Sequence, residues 1–301
     1  MYDRVTLIGC GLIGSSIAHA VKRHGLAKHV GIVEKTDILD RVRALDVAHD
    51  VTDDAAKAVR DADLVIICTP QSAYAAIAET IGRHLKTGAT LTDVGSVKKA
   101  AIDALQPHLR NEVHLVPGHP IAGTENSGPE AGFAELFADR WVILTPLAHR
   151  GGAYDAAAQK LGEFWQAMGS KIATMPPDHH DRVLAMTSHL PHLIAYTIVD
   201  TCVKLEDSMQ QEVIAYSASG FRDFTRIAAS DPTMWRDIFL NNKDAVLDGL
   251  QRFIEDLMEL QKAIRWDDGQ KLFDVFTKTR AVRRSIIDQR QHIPEENKRK
   301  D

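Results

Sequence analysis

The stretch Val5-Thr6-Leu7-Ile8-Gly9-Cys10-Gly11-Leu12-Ile13-Gly14 decides the fold. A short run of strand character meets three glycines spaced G-x-G-x-x-G, and Ile13–His24 continues with helical spacing. Each glycine has its own task. Gly9 makes the tight turn, Gly11 lets a pyrophosphate approach the backbone, and Gly14 allows close helix–strand packing. The helix N-terminus offers N–H groups and partial positive charge to the phosphates. A glycine-rich turn without a ligand is the alternative. Against it, the next strand candidate, Val30–Glu34, ends in an acid 20 residues after Gly14. An acid at that place accepts hydrogen bonds from the adenosine ribose hydroxyls. Glu34 also repels a 2′-phosphate, which favours NAD, while Lys35 beside it leaves NADP possible. The cofactor-binding candidates are therefore Gly9, Gly11, Leu12, Ile13, Gly14 and Glu34, joined by Thr69 and Pro70, which stop the apolar run Leu64–Cys68. Carboxyl ends of strands border the ligand crevice in open α/β sheets.

Outward from this motif, further strand candidates follow at Ala89–Val94, Val113–Val116 and Trp141–Leu144, with helical stretches between. Continuous apolar strands alternating with helices indicate a mostly parallel sheet covered on both faces, an α/β Rossmann-like domain. Past Lys171–Met175 the pattern turns helical: Val183–Leu205 with Pro191 as a kink or an early turn, then Gln211–Tyr216, Asp223–Ala229, Thr233–Asn241, Lys243–Arg265 and Asp268–Asp288. The change of class at Pro176-Pro177 places an α/β dinucleotide-binding domain at 1–176 and an all-α domain at 177–301.

The chain has 301 residues, 45% hydrophobic and 26% charged, an ordinary globular balance that argues against disorder and low complexity. Lys+Arg is 36 against Asp+Glu 41, a net charge of −5, so no broad basic footprint for nucleic acid exists. Cys10, Cys68 and Cys202 lie far apart and form no CxxC pair, which indicates a reducing, cytoplasmic compartment. The N-terminus carries too short an apolar run for a signal peptide, and no run is long enough to span a bilayer.

Four more segments carry chemistry: TDVGSVK (Thr92–Lys98), GHPIAGTENSG (Gly118–Gly128), HDRVLAMTSHLPH (His180–His192) and GFRDFTRIAASDPTMWRDI (Gly220–Ile238). Together with GCGLIGSS, in this order, they resemble the prephenate/arogenate (cyclohexadienyl) dehydrogenase family of tyrosine biosynthesis, from about residue 4 to about residue 280. The resemblance implies NAD-dependent oxidative decarboxylation of prephenate or arogenate to 4-hydroxyphenylpyruvate or tyrosine. It also implies a homodimer through the helical half, with the substrate pocket between the two domains. No chorismate mutase or ACT segment is recognisable, which implies a monofunctional enzyme.

The reaction makes demands that particular side chains meet. The ring hydroxyl must lose its proton as hydride leaves, and a neutral imidazole suits that task. His119 in the GHP motif matches the family's catalytic histidine. Ser96 in DVGS matches a hydroxyl bridging substrate, His119 and nicotinamide, with a helix N-cap as the competing role. Asp93 is read as shaping the turn. A dicarboxylate substrate needs a cation, and arginine holds one best through its planar fork. Arg222 resembles the carboxylate-binding arginine; Arg226, four residues on, is read as pairing with an acid or supporting the pocket. Thr124 and Glu125 imply substrate-side contacts or gating, and His189 resembles a substrate-contacting histidine, whereas His192 reads as packing. His179, His180 and Asp181 near these two suggest a metal, but no further Cys or carboxylate completes a ligand set and the resemblance implies none. Two other readings stay open: a 3-hydroxyacid-type dehydrogenase with a similar two-domain plan, and a non-catalytic NAD-sensing regulator.

Overall fold

The structure, a computed structural model, describes residues 1–124, 126–148, 150–205 and 219–288. Six strands form a parallel sheet: β1 Tyr2–Ile8, β2 Ala27–Val33, β3 Asp50–Thr52, β4 Leu64–Ile67, β5 Thr90–Asp93 and β6 His114–Leu115. Their order is β3-β2-β1-β4-β5-β6, so the strand order reverses between β1 and β4, where open α/β sheets bind ligands. Leu64, Val65, Ile66 and Ile67 of β4 are all 0% exposed. Their unbroken apolar run reflects a strand buried on both faces. One face packs with α1 (Leu12–His24), and the other with α4 (Tyr74–Ile81) and α5 (Lys98–Leu105). The short helices α2 (Leu39–Ala44) and α3 (Ala55–Ala58) complete this part.

A second sheet was not legible in the sequence. It joins β7 (Gly118–Pro120), β8 (Trp141–Leu144) and β9 (Lys171–Thr174). β7 runs antiparallel to β8, with His119 opposite Ile143, while β8 and β9 run parallel around α6 (Gly152–Ala167). GHP thus forms a strand of its own beyond β6, not a loop. Three residues are too few for a period to show.

Beyond β9 the chain is helical. α7 (Pro177–Leu184) passes through one π turn, Ala185–His189, into α8 (Leu190–Val203). Pro191 stands in the first turn of α8. It has no N–H to give the preceding turn, and the π widening falls just before it. Then come α9 (Ser219–Thr225), α10 (Pro232–Asn241), α11 (Lys243–Arg265) and α12 (Gly269–Asp288). The expected helix Gln211–Tyr216 lies outside the described residues. The chain forms two compact units, Met1–Val246 and Leu247–Asp301. No helix among the described residues is long and apolar enough to cross a membrane.

Candidate active site

The glycine loop fits a dinucleotide. Gly9 has φ 97°, and a Cβ there would meet Cys68 and Thr69 atoms at 2.9 Å. A Cβ at Gly14 would lie 2.2 Å from the Gly9 carbonyl oxygen, so α1 reaches β1 only because this residue is glycine. A Cβ at Gly11 meets nothing within 4 Å, which is the open side a phosphate needs. Gly11 also N-caps α1 without a side-chain bond, and the first turn holds no acid, so its N–H groups stay available for an anion. Leu12 and Ile13 are half-buried in that turn.

Glu34 stands just past β2, its Oε2 accepting from the Cys10 N–H at 2.7 Å and its Oε1 from the Lys35 N–H at 2.9 Å. The carboxylate is therefore held at the loop. The nearby arginines of α2 are engaged elsewhere: Arg41 donates to both carboxylate oxygens of Glu130, at 2.8 and 2.7 Å, and Arg43 to Asp40 at 2.7 Å. Thr69 abuts Gly9, and its Oγ1 is buried without a hydrogen-bond partner among the described residues. Pro70 follows, exposed, before the turn into α4.

His119 on β7 is only 8% exposed. Its Nδ1 lies 2.9 Å from His180 Nε2, and His180 Nδ1 lies 2.8 Å from Asp181 Oδ1. The proton positions follow from the network. Asp181 accepts, so His180 carries its proton on Nδ1. His180 Nε2 then accepts, so His119 carries its proton on Nδ1 and keeps the Nε2 lone pair. Burial is the first cause that holds both rings below their ordinary titration range, and the Lys98 charge adds to it. His119 is thus a neutral acceptor with a carboxylate two bonds behind it, able to stabilise the imidazolium that forms when it takes a proton. Burial pushes the Asp181 carboxyl up, but His180 and the N–H groups of Lys98 (2.8 Å) and Lys99 (2.9 Å) outweigh it, and its pKa falls.

Those two N–H groups open α5. Asp181, from a distant part of the chain, caps that helix, and the Ncap residue itself is Val97 with no side-chain bond. Ser96 is therefore not the cap and sits half-buried in the turn between β5 and α5. Asp93 does shape that turn, accepting from the Gly95 N–H at 2.9 Å, and it also pairs with the fully buried Lys98 at 2.6 Å.

The helical side closes around His189, which is 1% exposed. Asn242 Nδ2 lies 3.1 Å from His189 Nδ1 and 2.8 Å from the Asp181 carbonyl. His189 Nε2 and Trp235 Nε1 are buried without partners among the described residues. Burial lowers the His189 pKa to about 4. His192 donates from Nδ1 to the Ser188 carbonyl at 2.8 Å and stacks on Trp235 with centroids 3.6 Å apart. Arg222 is exposed on α9. Arg226, one turn later, stands near enough to His192 to help depress its titration, after burial. Thr124 is exposed and accepts from the Asn126 N–H at 3.2 Å. Glu125 lies outside the described residues.

The comparisons with known proteins agree along most of the chain. The model of the family described as "Prephenate dehydrogenase, nucleotide-binding domain" matches residues 17–174, and that of "Prephenate dehydrogenase, dimerization domain" matches residues 176–278. The chain belongs to the prephenate dehydrogenase family. It is 43% identical to a cyclohexadienyl dehydrogenase of Zymomonas mobilis, over 95% of this chain and 97% of that one. It is 34% identical to a prephenate dehydrogenase of Bacillus subtilis, over 92% and 74%. The solved prephenate dehydrogenase of Aquifex aeolicus, in complex with hydroxyphenyl propionate and NAD+, superposes with a TM-score of 0.86 at 33% identity, covering 94% of this chain and 98% of that one. As a member of this family the chain is an oxidoreductase.

Sequence reasoning missed His180 and Asp181 as partners of His119, and Lys98 and Asn242 altogether. The His-Asp pair was visible in HDRVLAMTSHLPH only as possible metal ligands. No local pattern says that the first turns of α7 face β7, because that is a contact between elements far apart in the chain.

Proposed function

We propose that this protein catalyses NAD-dependent oxidative decarboxylation of prephenate, of arogenate or of both. The observation that carries the reading is the His119–His180–Asp181 chain, which leaves His119 Nε2 as the acceptor for a ring hydroxyl. Bound NAD supplies the hydride acceptor. The family sequence supports the rest: His119 takes the hydroxyl proton as hydride leaves the same carbon, carbon dioxide departs from the opposite ring carbon, and aromatisation drives the step. Ser96 orients the hydroxyl beside His119.

The residues that hold the cofactor are Gly9, Gly11, Leu12, Ile13 and Gly14 at the pyrophosphate, Glu34 at the ribose, and Thr69 and Pro70 at the crevice edge. The open side of Gly11, the uncapped start of α1 and the orphaned Thr69 hydroxyl support that placement. The paired arginines of α2 offer no free fork to a 2′-phosphate, which supports NAD over NADP. On the substrate side, His189 keeps one buried ring N–H that a substrate oxygen would satisfy. Arg222 is the proposed carboxylate anchor, with Thr124 and Glu125 on the loop beyond His119. We read 1–176 as the cofactor domain and 177–301 as the helical domain. The latter forms a homodimer, a reading supported by the match to a dimerization domain. The three unpaired cysteines accord with a cytoplasmic compartment.

The test is cofactor reduction by purified protein, with prephenate and arogenate each crossed against NAD and NADP. Reduction of NAD supports the reading, and the ratio between substrates names the preferred one. Silence in all four, with NAD still bound, moves the assignment to a 3-hydroxyacid-type dehydrogenase or a regulator.

A further inference from the structure

We propose that the buried Asp93–Lys98 pair is a clamp that positions His119 through the backbone of Gly118. Both side chains are 0% exposed, and Lys98 Nζ sits 2.6 Å from Asp93 Oδ2. The same ammonium donates to the Gly118 carbonyl at 2.5 Å, and Asp93 Oδ1 accepts from the Gly118 N–H at 3.3 Å. The residue before His119 is thus held at both of its backbone polar groups by one ion pair.

Stability alone does not account for such a pair. Taking two charges fully out of water costs about as much as their attraction returns, and apolar residues of similar volume often do as well. What apolar residues cannot do is hold one residue by its backbone N–H and its C=O together. Gly118 also sits tightly: a Cβ there would lie 3.2 Å from the Asp93 carbonyl oxygen and 3.3 Å from Thr92 Oγ1. β7 therefore has little freedom to slide against β5.

The rest of the site points the same way. Asp93 is fixed by the Tyr74 hydroxyl at 3.1 Å and the Gly95 N–H at 2.9 Å, and all its partners donate to it. The backbone N–H of Lys98 meets Asp181, the end of the histidine chain. Lys98 therefore ties the strand that carries His119 to the helix start that anchors Asp181. The charged and titratable groups that face it are Asp93, Tyr74, Asp181, His119 and His180. Lys98 is a positioning residue here, and its bearing on turnover rests on the function proposed above.

The test reads the tautomer of His119 by nitrogen NMR of histidine-labelled protein, in wild type, in Lys98→Met and in Asp93→Asn/Lys98→Met. Wild type is expected to show one tautomer, with the proton on Nδ1. Both variants are expected to show the two tautomers averaged, because β7 loosens and the bond to His180 weakens. A single Nδ1–H tautomer retained in the variants overturns the clamp. The double variant leaves no unpaired buried charge, so it carries the same readout where Lys98→Met alone does not fold. In turnover, kcat is expected to fall roughly tenfold or more while the NAD dissociation constant stays within about twofold. An unchanged kcat beside averaged tautomers overturns the catalytic bearing of the clamp. Wild-type protein that is silent with both substrates overturns the function and not the clamp, since the tautomer reading needs no substrate.

Discussion

At the scale of single residues, the proposed chemistry rests on His119, which is buried, neutral and backed by His180 and Asp181. His119→Asn is expected to lower turnover roughly hundredfold or more while NAD binding persists, the size of effect seen when a general base is lost. Steady-state kinetics with a separate binding measurement checks this, and unchanged turnover would remove His119 from the mechanism. The carboxylate anchor is a second residue question. Arg222 and Arg226 are both exposed, and the Arg226 charge, after burial, helps to lower the His192 titration. If Arg222 holds the substrate, Arg222→Gln raises KM for prephenate roughly tenfold or more with a smaller effect on kcat. Measuring Arg226→Gln in parallel decides between them, since a normal KM in the Arg222 variant moves the anchor to its neighbour.

At the scale of elements, the two helix starts in the site are treated in opposite ways. α1 begins at Gly11 with no side-chain cap, and a Cβ built on Gly11 would meet only open space. α5 begins under the Asp181 carboxylate, so its N–H groups are spent on holding the histidine chain. One helix end is kept for a ligand and the other is used as structure. Gly14→Ala tests the first. Its methyl would press on the Gly9 carbonyl, so we expect about 1–3 kcal/mol lost in stability by overpacking. NAD affinity should fall as well, because the glycine loop must shift. Thermal unfolding and cofactor titration read these separately, and normal values in both would show that close packing at this crossing is not needed.

At the scale of the whole molecule, burying neutral histidines links stability to pH. His119, His180 and His189 are all held below the ordinary histidine value of 6.5, first by burial. The folded state then binds fewer protons than the unfolded chain once the pH drops below 6.5. Their contribution is complete above that pH and is lost as the pH falls toward the folded values, about 4 for His189. From His189 alone the loss is about 3 kcal/mol across that window. Urea unfolding at several pH values checks it, and a flat profile below 6.5 would mean these rings are not buried neutral. Assembly belongs to the same scale. Within Leu247–Asp301, Leu257 (52%), Phe273 (65%) and Phe276 (55%) stay exposed, among other large apolar side chains. Such a surface suits association more than solvent. Light scattering is expected to give twice the chain mass of 33.3 kDa. Leu257→Asp/Phe276→Asp is expected to shift the mass toward one chain, and an unshifted mass would place the interface elsewhere.

Much of this could be read along the chain. The glycine loop, Glu34, the buried parallel strands and the long helices follow from local chemistry: strand and helix periods, turn geometry and a helix terminus are set by neighbours in sequence. His119 stands out as a candidate because its motif is contiguous. The partners of His119 were not, since His180 and Asp181 reach it across 61 and 62 positions and Lys98 reaches Gly118 across 20. The three-residue strand β7, too short to show a period, holds that histidine. Hydrogen bonds between distant elements depend on how α5, α7 and β7 pack together, and so the tautomer of His119, its depressed basicity and the capping of α5 by Asp181 were decided only when the chain folded.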